Sequence, residues 1–285
     1  MAERVRVAHK TPPLIVLPAM GWFIWFLLIP LSIIAVYSVA TKGIYGGVVF
    51  RFSFDNYVRA TDWIYIRILW NSLKLATYTA LACLVIGYPM AYVMATAKAR
   101  MRSILMMLVV IPFWTNFVVR AYALKVLFGQ NGPVNALALG LGLIREPVDL
   151  ANNYFSVGLG MVTNYLPFMV LPLYVALEKF DFSLLEAAKD LGAKPWALLT
   201  RILLPLTRAG IITGLIFVFT PALGEFVIPD LLGGSRTMLI GNLITDQFLK
   251  SRDWPFGAAL SMLLILVVMA SLVVYLRVQQ KQGAH

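Results

Sequence analysis

The segment Glu186-Ala187-Ala188-Lys189-Asp190-Leu191-Gly192, followed by Pro195 and then Ile202-Leu203-Leu204-Pro205, decides how the rest of the chain is read. It is a polar interruption between two long apolar stretches. Its two alanines leave a helix face slim enough to enter a groove on another protein. Gly192 permits a turn that a Cβ would hinder, and Pro195 suits the first turn of a second helix, where a missing N–H is harmless. Helix, tight turn, helix is the expected local structure. Leu184, Leu185, Ala188 and Leu191 offer an apolar stripe, while Glu186, Lys189 and Asp190 offer polar contacts. Trp196, Leu199, Ile202 and Leu203 are expected to pack the return helix inward, and Pro205 to alter the backbone before the next apolar stretch.

The surrounding sequence is that of a membrane protein. Of 285 residues, 60% are hydrophobic and 13% charged, with mean hydropathy +0.82. A soluble domain of this length cannot hide so much apolar surface. The net charge of +11 is dispersed around apolar spans rather than gathered on one face, so nucleic acid is not an expected partner. Cys83 is the single cysteine and lies inside an apolar span, which excludes an intrachain disulfide and a thiolate cluster. His9 and His285 occupy opposite polar termini, so no metal or histidine-based catalytic site is expected. Glu186 and Asp190 lie on one short helix with no evident pocket. The chain is therefore read as a non-enzyme.

Six segments can cross a hydrocarbon core about 30 Å thick: Leu14–Val39, Ser72–Ala97, Ser103–Leu127, Asn153–Leu177, Ala209–Pro229 and Phe256–Leu276. The expected architecture is an all-α integral membrane protein. Residues 1–13 form a tail, 14–277 a six-helix transmembrane domain carrying the loop 178–208, and 278–285 a second tail. The first apolar run exceeds the core of a cleaved signal and is read as a retained span. Val134–Ile144 is too short to span and is read as an interfacial or loop helix; Thr41–Asn71 is read as a polar-aromatic outer region. Arg4, Arg6 and Lys10, the link Lys98-Ala99-Arg100-Met101-Arg102, the cations of loop 178–208, and Arg277 with Lys281 must share one side. The excess of positive charge marks that side, and both termini, as cytoplasmic.

Polar groups inside the spans are the candidate solute path. Pro221, Glu225 and Pro229 recur every four residues, which on a continuous helix places them near one face. Prolines break helices, and breaks in lipid are tolerated mainly where protein or a water-filled cavity satisfies the backbone. On a straight helix Glu225 lies roughly 24 Å beyond Ala209 at about 1.5 Å per residue. A carboxylate at mid-membrane costs about 2.5–3.5 kcal/mol, so it favours a cavity, a cation or the surface. With Trp or Tyr nearby it suits an organic cation; an interfacial glutamate that simply faces water is the other reading. Trp114, Asn116 and Arg120 bring polarity into span three, and Asn164 and Tyr165 precede Pro167 in span four. Asp246 and Trp254 belong to the outer interface.

The Glu-Ala-Ala triplet, the Gly four residues after its second Ala and the late Ile-x-Leu-Pro together resemble the EAA loop of type I ABC-importer inner-membrane permeases, the binding-protein-dependent transport family. Phe52-Ser53-Phe54-Asp55-Asn56-Tyr57 resembles the entry to the core bundle in these permeases. The resemblance implies that Glu186, Ala187, Ala188, Asp190 and Gly192 dock in an ATPase cleft. Ile202, Leu204 and Pro205 would tie that docking to the membrane helices. It implies a bacterial inner-membrane location, a second homologous permease, two ATPase subunits, a periplasmic solute-binding protein and lipid as partners. The chain has no Gly-x-x-x-x-Gly-Lys-Ser/Thr loop, so no cofactor is expected in it, and ATP and Mg are expected in the partner ATPase. Gly224-Glu225-Phe226-Val227-Ile228-Pro229, Leu231-Leu232-Gly233-Gly234 and Asp253-Trp254-Pro255-Phe256-Gly257-Ala258-Ala259 resemble the spermidine/putrescine branch. A permease for another small organic solute and an ion-coupled secondary transporter are the alternatives. The latter leaves the loop without a role.

Overall fold

Small residues set the closest helix contacts. The computed structural model describes residues 13–234 and 237–280, so the expectations for residues 1–12 and 281–285 lie outside the described residues. The elements are α1 (Pro13–Ser38), β1 (Thr41–Lys42), β2 (Val48–Val49), α2 (Asp55–Ala60), α3 (Trp63–Thr96), α4 (Ala99–Trp114), α5 (Phe117–Phe128), α6 (Pro133–Gly140) and α7 (Tyr154–Glu178). There follow α8 (Ser183–Asp190), α9 (Pro195–Ala197), a π-helical turn (Leu198–Leu203), α10 (Leu204–Leu206), α11 (Arg208–Gly224), α12 (Val227–Leu232), α13 (Ile240–Leu249) and α14 (Trp254–Gln280). Helices α3, α7 and α11 form the heart of the bundle. Ala76, Ala80, Cys83 and Ala91 of α3 are buried there with Val157, Met161, Met169 and Leu173 of α7. A Cβ on Gly210 would stand 2.4 Å from the Ala176 Cβ, and one on Gly214 would stand 2.5 Å from the Met169 sulfur. With no hydrophobic drive between helices in lipid, such close backbone approach supplies the packing.

Four helices are long and apolar enough to cross a membrane, and two further bent pairs bring the number to six when each pair is taken as one span. The first bent pair corrects the continuous span expected over Ser103–Leu127. α4 meets the segment Phe117–Gly140, which α5 opens, at 91°. Pro112 removes a backbone donor, and the Thr115 hydroxyl donates to the Pro112 carbonyl at 2.6 Å. Asn116 then caps α5 by accepting the Val118 N–H at 2.8 Å. The second span starts at Trp63 rather than Ser72, because Arg67 lowers the hydropathy of a stretch that is helical all the same. Its 34 residues extend about 51 Å at 1.5 Å per residue, beyond the hydrocarbon thickness. The outer region therefore includes a two-strand antiparallel ladder, α2 and the first turns of α3. The last helix continues to Gln280, past the expected boundary at 277.

At one end of the bundle, Asp253 gathers distant parts of the outer region. Its Oδ2 accepts Arg59 Nη1 at 2.7 Å and its Oδ1 accepts the Phe256 N–H at 3.3 Å, so it joins α2 to the start of α14. The Arg59 guanidinium also lies 3.9 Å from the Phe256 ring centroid. Nearby, Ser72 accepts the Ile240 N–H at 2.8 Å, which fixes α13 on α3. α6 confirms the short helix expected near Val134–Ile144. Buried Asn135 stitches its loop by donating to Gly129 and Val148 carbonyls and accepting the Val148 N–H.

The α7–α11 contact gives a direct stability test. Gly214→Val should lower the unfolding midpoint of the purified protein in mild detergent, because overpacking costs about 1–3 kcal/mol. Gly140→Ala, where a Cβ meets nothing within 4 Å, should leave it unchanged.

Candidate functional site

The fifth span expected over Ala209–Pro229 is not one helix. α11 ends at Gly224, Glu225 is extended (φ −64°, ψ 132°), and α12 begins at Val227. Pro221, Glu225 and Pro229 therefore do not share a helical face: Pro221 is inside α11, Glu225 sits in the break, and Pro229 is in the first turn of α12, where its missing N–H breaks no intrahelical bond. The break exposes backbone donors, and Glu225 satisfies them. Its Oε1 accepts the N–H groups of Phe226, Val227 and Ile228 at 3.1, 2.9 and 3.3 Å. Its Oε2 accepts the Tyr165 hydroxyl at 2.5 Å. A carboxylate at a helix start also meets the positive end of the helix dipole.

The same corner holds Asn164, which is 5% exposed and donates from Nδ2 to the Gly160 carbonyl at 2.8 Å. Its Oδ1 is shut from solvent with no hydrogen-bond partner. From the other side, Asn242 Nδ2 donates to the Phe226 carbonyl at 2.8 Å, and its Oδ1 is likewise buried and unpaired. Gly241 lets α13 approach: a Cβ there would meet the Gly224 carbonyl oxygen at 2.6 Å. Asn242 was not singled out from sequence, since an Asn after a glycine-rich loop carries no distinguishing signal.

Three of the seven sequence-derived path candidates, Glu225, Asn164 and Tyr165, are brought together. Trp114 is 87% exposed on the rim of the α4–α5 bend, and Asn116 is occupied as a helix cap. Asp246 pairs with Lys250 at 2.8 Å on the surface of α13, which raises the Lys250 pKa, and Trp254 stacks near Tyr37 at a centroid distance of 6.4 Å. Two hollows lie elsewhere, along α3 and α7. One of about 990 Å³ is lined by Arg67, Asn71, Lys74 and apolar residues, and a second of about 680 Å³ continues it past Ile86, Leu159 and Val162. Their only charged lining groups are cations, so the carboxylate chemistry belongs to the Glu225 corner.

The coupling-loop expectation takes a definite shape. Asp181 accepts the Ser183 N–H at 3.0 Å to open α8, and Ser183's hydroxyl and N–H hold the Asp181 carboxyl below its ordinary pKa. α8 closes on Gly192 at φ +81°, with Gly192 N–H donating to Lys189 O and Ala193 N–H to Ala188 O, the paired bonds of a Schellman turn. Pro195 opens α9 as expected. The apolar stripe divides: Leu185 is buried and Ala188 packs on the core, whereas Leu184 is exposed and Leu191 is 89% exposed. Trp196 is 72% exposed rather than packed inward, whereas Leu199, Ile202 and Leu203 pack on the core as expected, joined by buried Leu198. Glu186, Ala187 and Asp190 face outward, and Ile202 and Leu204 are half-buried.

Around Pro205 the chain bends 72° into α11. Thr207 donates to Leu203 O at 2.7 Å and accepts the Tyr88 hydroxyl at 2.9 Å, so the bend is fastened to α3. Arg102 meets Glu178 at 3.2 Å, and Tyr174 donates to the same carboxylate at 2.7 Å. The basic link after α3 and the coupling loop thus share one end of the bundle.

Comparison with known proteins places this architecture. Residues 84–282 match the family described as the binding-protein-dependent transport system inner membrane component. The chain is 44% identical over 257 residues to the spermidine/putrescine transport system permease protein PotB of Escherichia coli (strain K12), covering 90% of this chain and 94% of that protein. It is 41% identical over 257 residues to the protein of the same name from Haemophilus influenzae, covering 90% of each. Among solved structures, a bacterial ABC transporter involved in import of the acidic polysaccharide alginate superposes with a TM-score of 0.76 at 19% identity, covering 94% of each chain, a likeness of fold. With its apolar helices, the chain is a multi-pass inner-membrane permease component, and it belongs to the binding-protein-dependent transport system inner membrane component family.

Proposed function

We propose that this chain is the permease subunit through which an ATP-driven importer passes a polyamine, spermidine or putrescine, delivered by a periplasmic binding protein. The observation that carries the reading is Glu225, a carboxylate at the break of a membrane helix with the Tyr165 ring beside it. A polyamine offers ammonium donors and methylene groups, so it calls for acceptors and apolar or aromatic walls. Glu225, the unpaired Asn164 oxygen and the Tyr165 ring supply them. The names borne by relatives at 41–44% identity point the same way. A second, homologous permease contributes the remaining acceptors, since one carboxylate per subunit holds a polycation weakly.

In this reading the coupling-loop end and both termini are cytoplasmic, as the excess of basic residues there indicates. The outward surface of α8, with Glu186, Ala187, Asp190 and the protruding Leu191, enters a cleft on one of two ATPases. Ala188 and Gly192 set its slim profile and turn; Ile202, Leu204 and Pro205 carry the motion into α11. ATP and Mg²⁺ belong to those ATPases. Their closure swings the paired permeases between inward-open and outward-open states, and the solute crosses past Glu225.

Two outcomes check the two halves of this reading. Glu186→Ala should insert normally but recover several-fold less ATPase on co-purification; wild-type recovery with wild-type solute-stimulated hydrolysis contradicts the docking role. Glu225→Gln keeps an oxygen for the α12 N–H groups but removes the charge. Its uptake KM for spermidine should rise about tenfold or more, the equivalent of about 1.4 kcal/mol, with ATPase recovery intact. Unchanged uptake kinetics remove Glu225 from the path.

A further inference from the structure

Among the described residues no ion pair reaches Arg120, and its position in the bundle says which group should serve. Three helices converge at Gly160, where a Cβ would stand 2.6 Å from Leu232 Cδ1, 3.0 Å from Ile228 Cγ2 and 3.8 Å from Leu124 Cδ1. One turn further along α7 lies Asn164, bonded back to the Gly160 carbonyl. One turn before Ile228 lies Glu225, held by Tyr165 next to Asn164. One turn before Leu124, on the same face of α5, lies Arg120. Two contacts mark the course of the chain from α4 into α5: Phe113, at the end of α4, meets Phe168 edge-on with centroids 5.1 Å apart, and Leu124 of α5 reaches Gly160. Arg120 is therefore bracketed at the level of Asn164, in the layer that holds Glu225.

Arg120 Nε and Nη1 are both shut from solvent and have no hydrogen-bond partner, as does Asn164 Oδ1. Arg120 is half-buried, and enclosed guanidinium nitrogens left unpaired in an apolar bundle are disfavoured. Enclosed by this chain's own atoms, those two nitrogens call for a partner within the bundle. Among the described residues, Glu225 is the carboxylate of that layer; Asp230, further along α12, is exposed. Glu225 is at present taken up by Tyr165 and by the three N–H groups of α12.

We propose that Arg120 is a tethered counter-ion for Glu225, pairing with it in the solute-free step of transport and yielding it to the incoming solute's ammonium group. This rests on the reading of Glu225 as a contact for a cationic solute. In this scheme Tyr165 and the α12 N–H groups hold the carboxylate in one state and Arg120 holds it in another. A solute is admitted only if it brings positive charge to displace the guanidinium. Arg120 thereby becomes a specificity-determining residue, acting by competition rather than by contact.

The test is a mutant cycle read as labelled-spermidine uptake by the complete importer, with ATPase co-purification verifying assembly. Arg120→Gln should lower KM several-fold and lower kcat, since the competitor that frees the solute is gone. Arg120→Lys should lie near wild type, and Arg120→Gln with Glu225→Gln should match Glu225→Gln alone. An equal effect of Arg120→Gln with and without Glu225, or Arg120→Lys behaving as Arg120→Gln, overturns the proposal. Should Arg120→Gln fail to assemble, Arg120→Cys with Glu225→Cys should be joined, in the solute-free importer, by a bifunctional maleimide whose spacer replaces the two lost side chains. No cross-link with or without nucleotide contradicts it. If the wild-type importer takes up no spermidine, the polyamine reading fails, while the cross-link still reports whether the two side chains meet.

Discussion

A helix that stops inside a hydrocarbon layer leaves N–H and C=O groups that lipid cannot satisfy, each costing several kcal/mol. The break after Gly224 is the place in this bundle where that constraint bears on an ionisable side chain. Glu225 answers it with three N–H bonds on one oxygen and the Tyr165 hydroxyl on the other. The same residue thus makes the interruption of the span tolerable. Asn242 secures the Phe226 carbonyl, and Gly241 allows the close approach this needs. A carboxylate with this many internal partners is held in place.

Between that corner and the coupling loop runs a continuous mechanical connection. Leu185 and Ala188 seat α8 on the bundle, and Leu198 and Leu203 seat the π-helical turn. The Tyr88–Thr207–Leu203 chain of hydrogen bonds fastens the 72° bend to α3. α11 begins at that bend and ends at Glu225, packed tightly on α7 through Gly210 and Gly214. Packed elements therefore join α8 to the Glu225 end of α11 without an intervening flexible linker.

The parts of this arrangement that were legible in the sequence are those governed by local chemistry. Gly192 and Pro195 announced their turn and helix start because left-handed φ and a missing N–H are properties of single residues. The first, fourth and sixth spans were legible because their apolar runs are long. The α4–α5 break was not, although Pro112 and Asn116 are both helix punctuators: averaged hydropathy runs straight across a kink that costs no polarity. The start of α3 was hidden in the same way by Arg67. Glu225 and Tyr165 were each noticed as polar residues in a span, but they are 60 residues apart, and no local pattern encodes their pairing. Arg59 and Asp253, 194 residues apart, are a stronger case. The outward turn of Trp196 depends on which face of a short helix finds the core first, and Leu198 takes that place.

The most direct measurement is ATP hydrolysis by the chain reconstituted in lipid with its homologous permease and ATPase partners, in the presence of a panel of loaded binding proteins. The account predicts that a polyamine-loaded binding protein stimulates hydrolysis several-fold over the unloaded one, and that other cargoes do not. Stimulation only by a different cargo contradicts the polyamine assignment. An intact, folded permease pair that recruits no ATPase contradicts the importer mechanism itself.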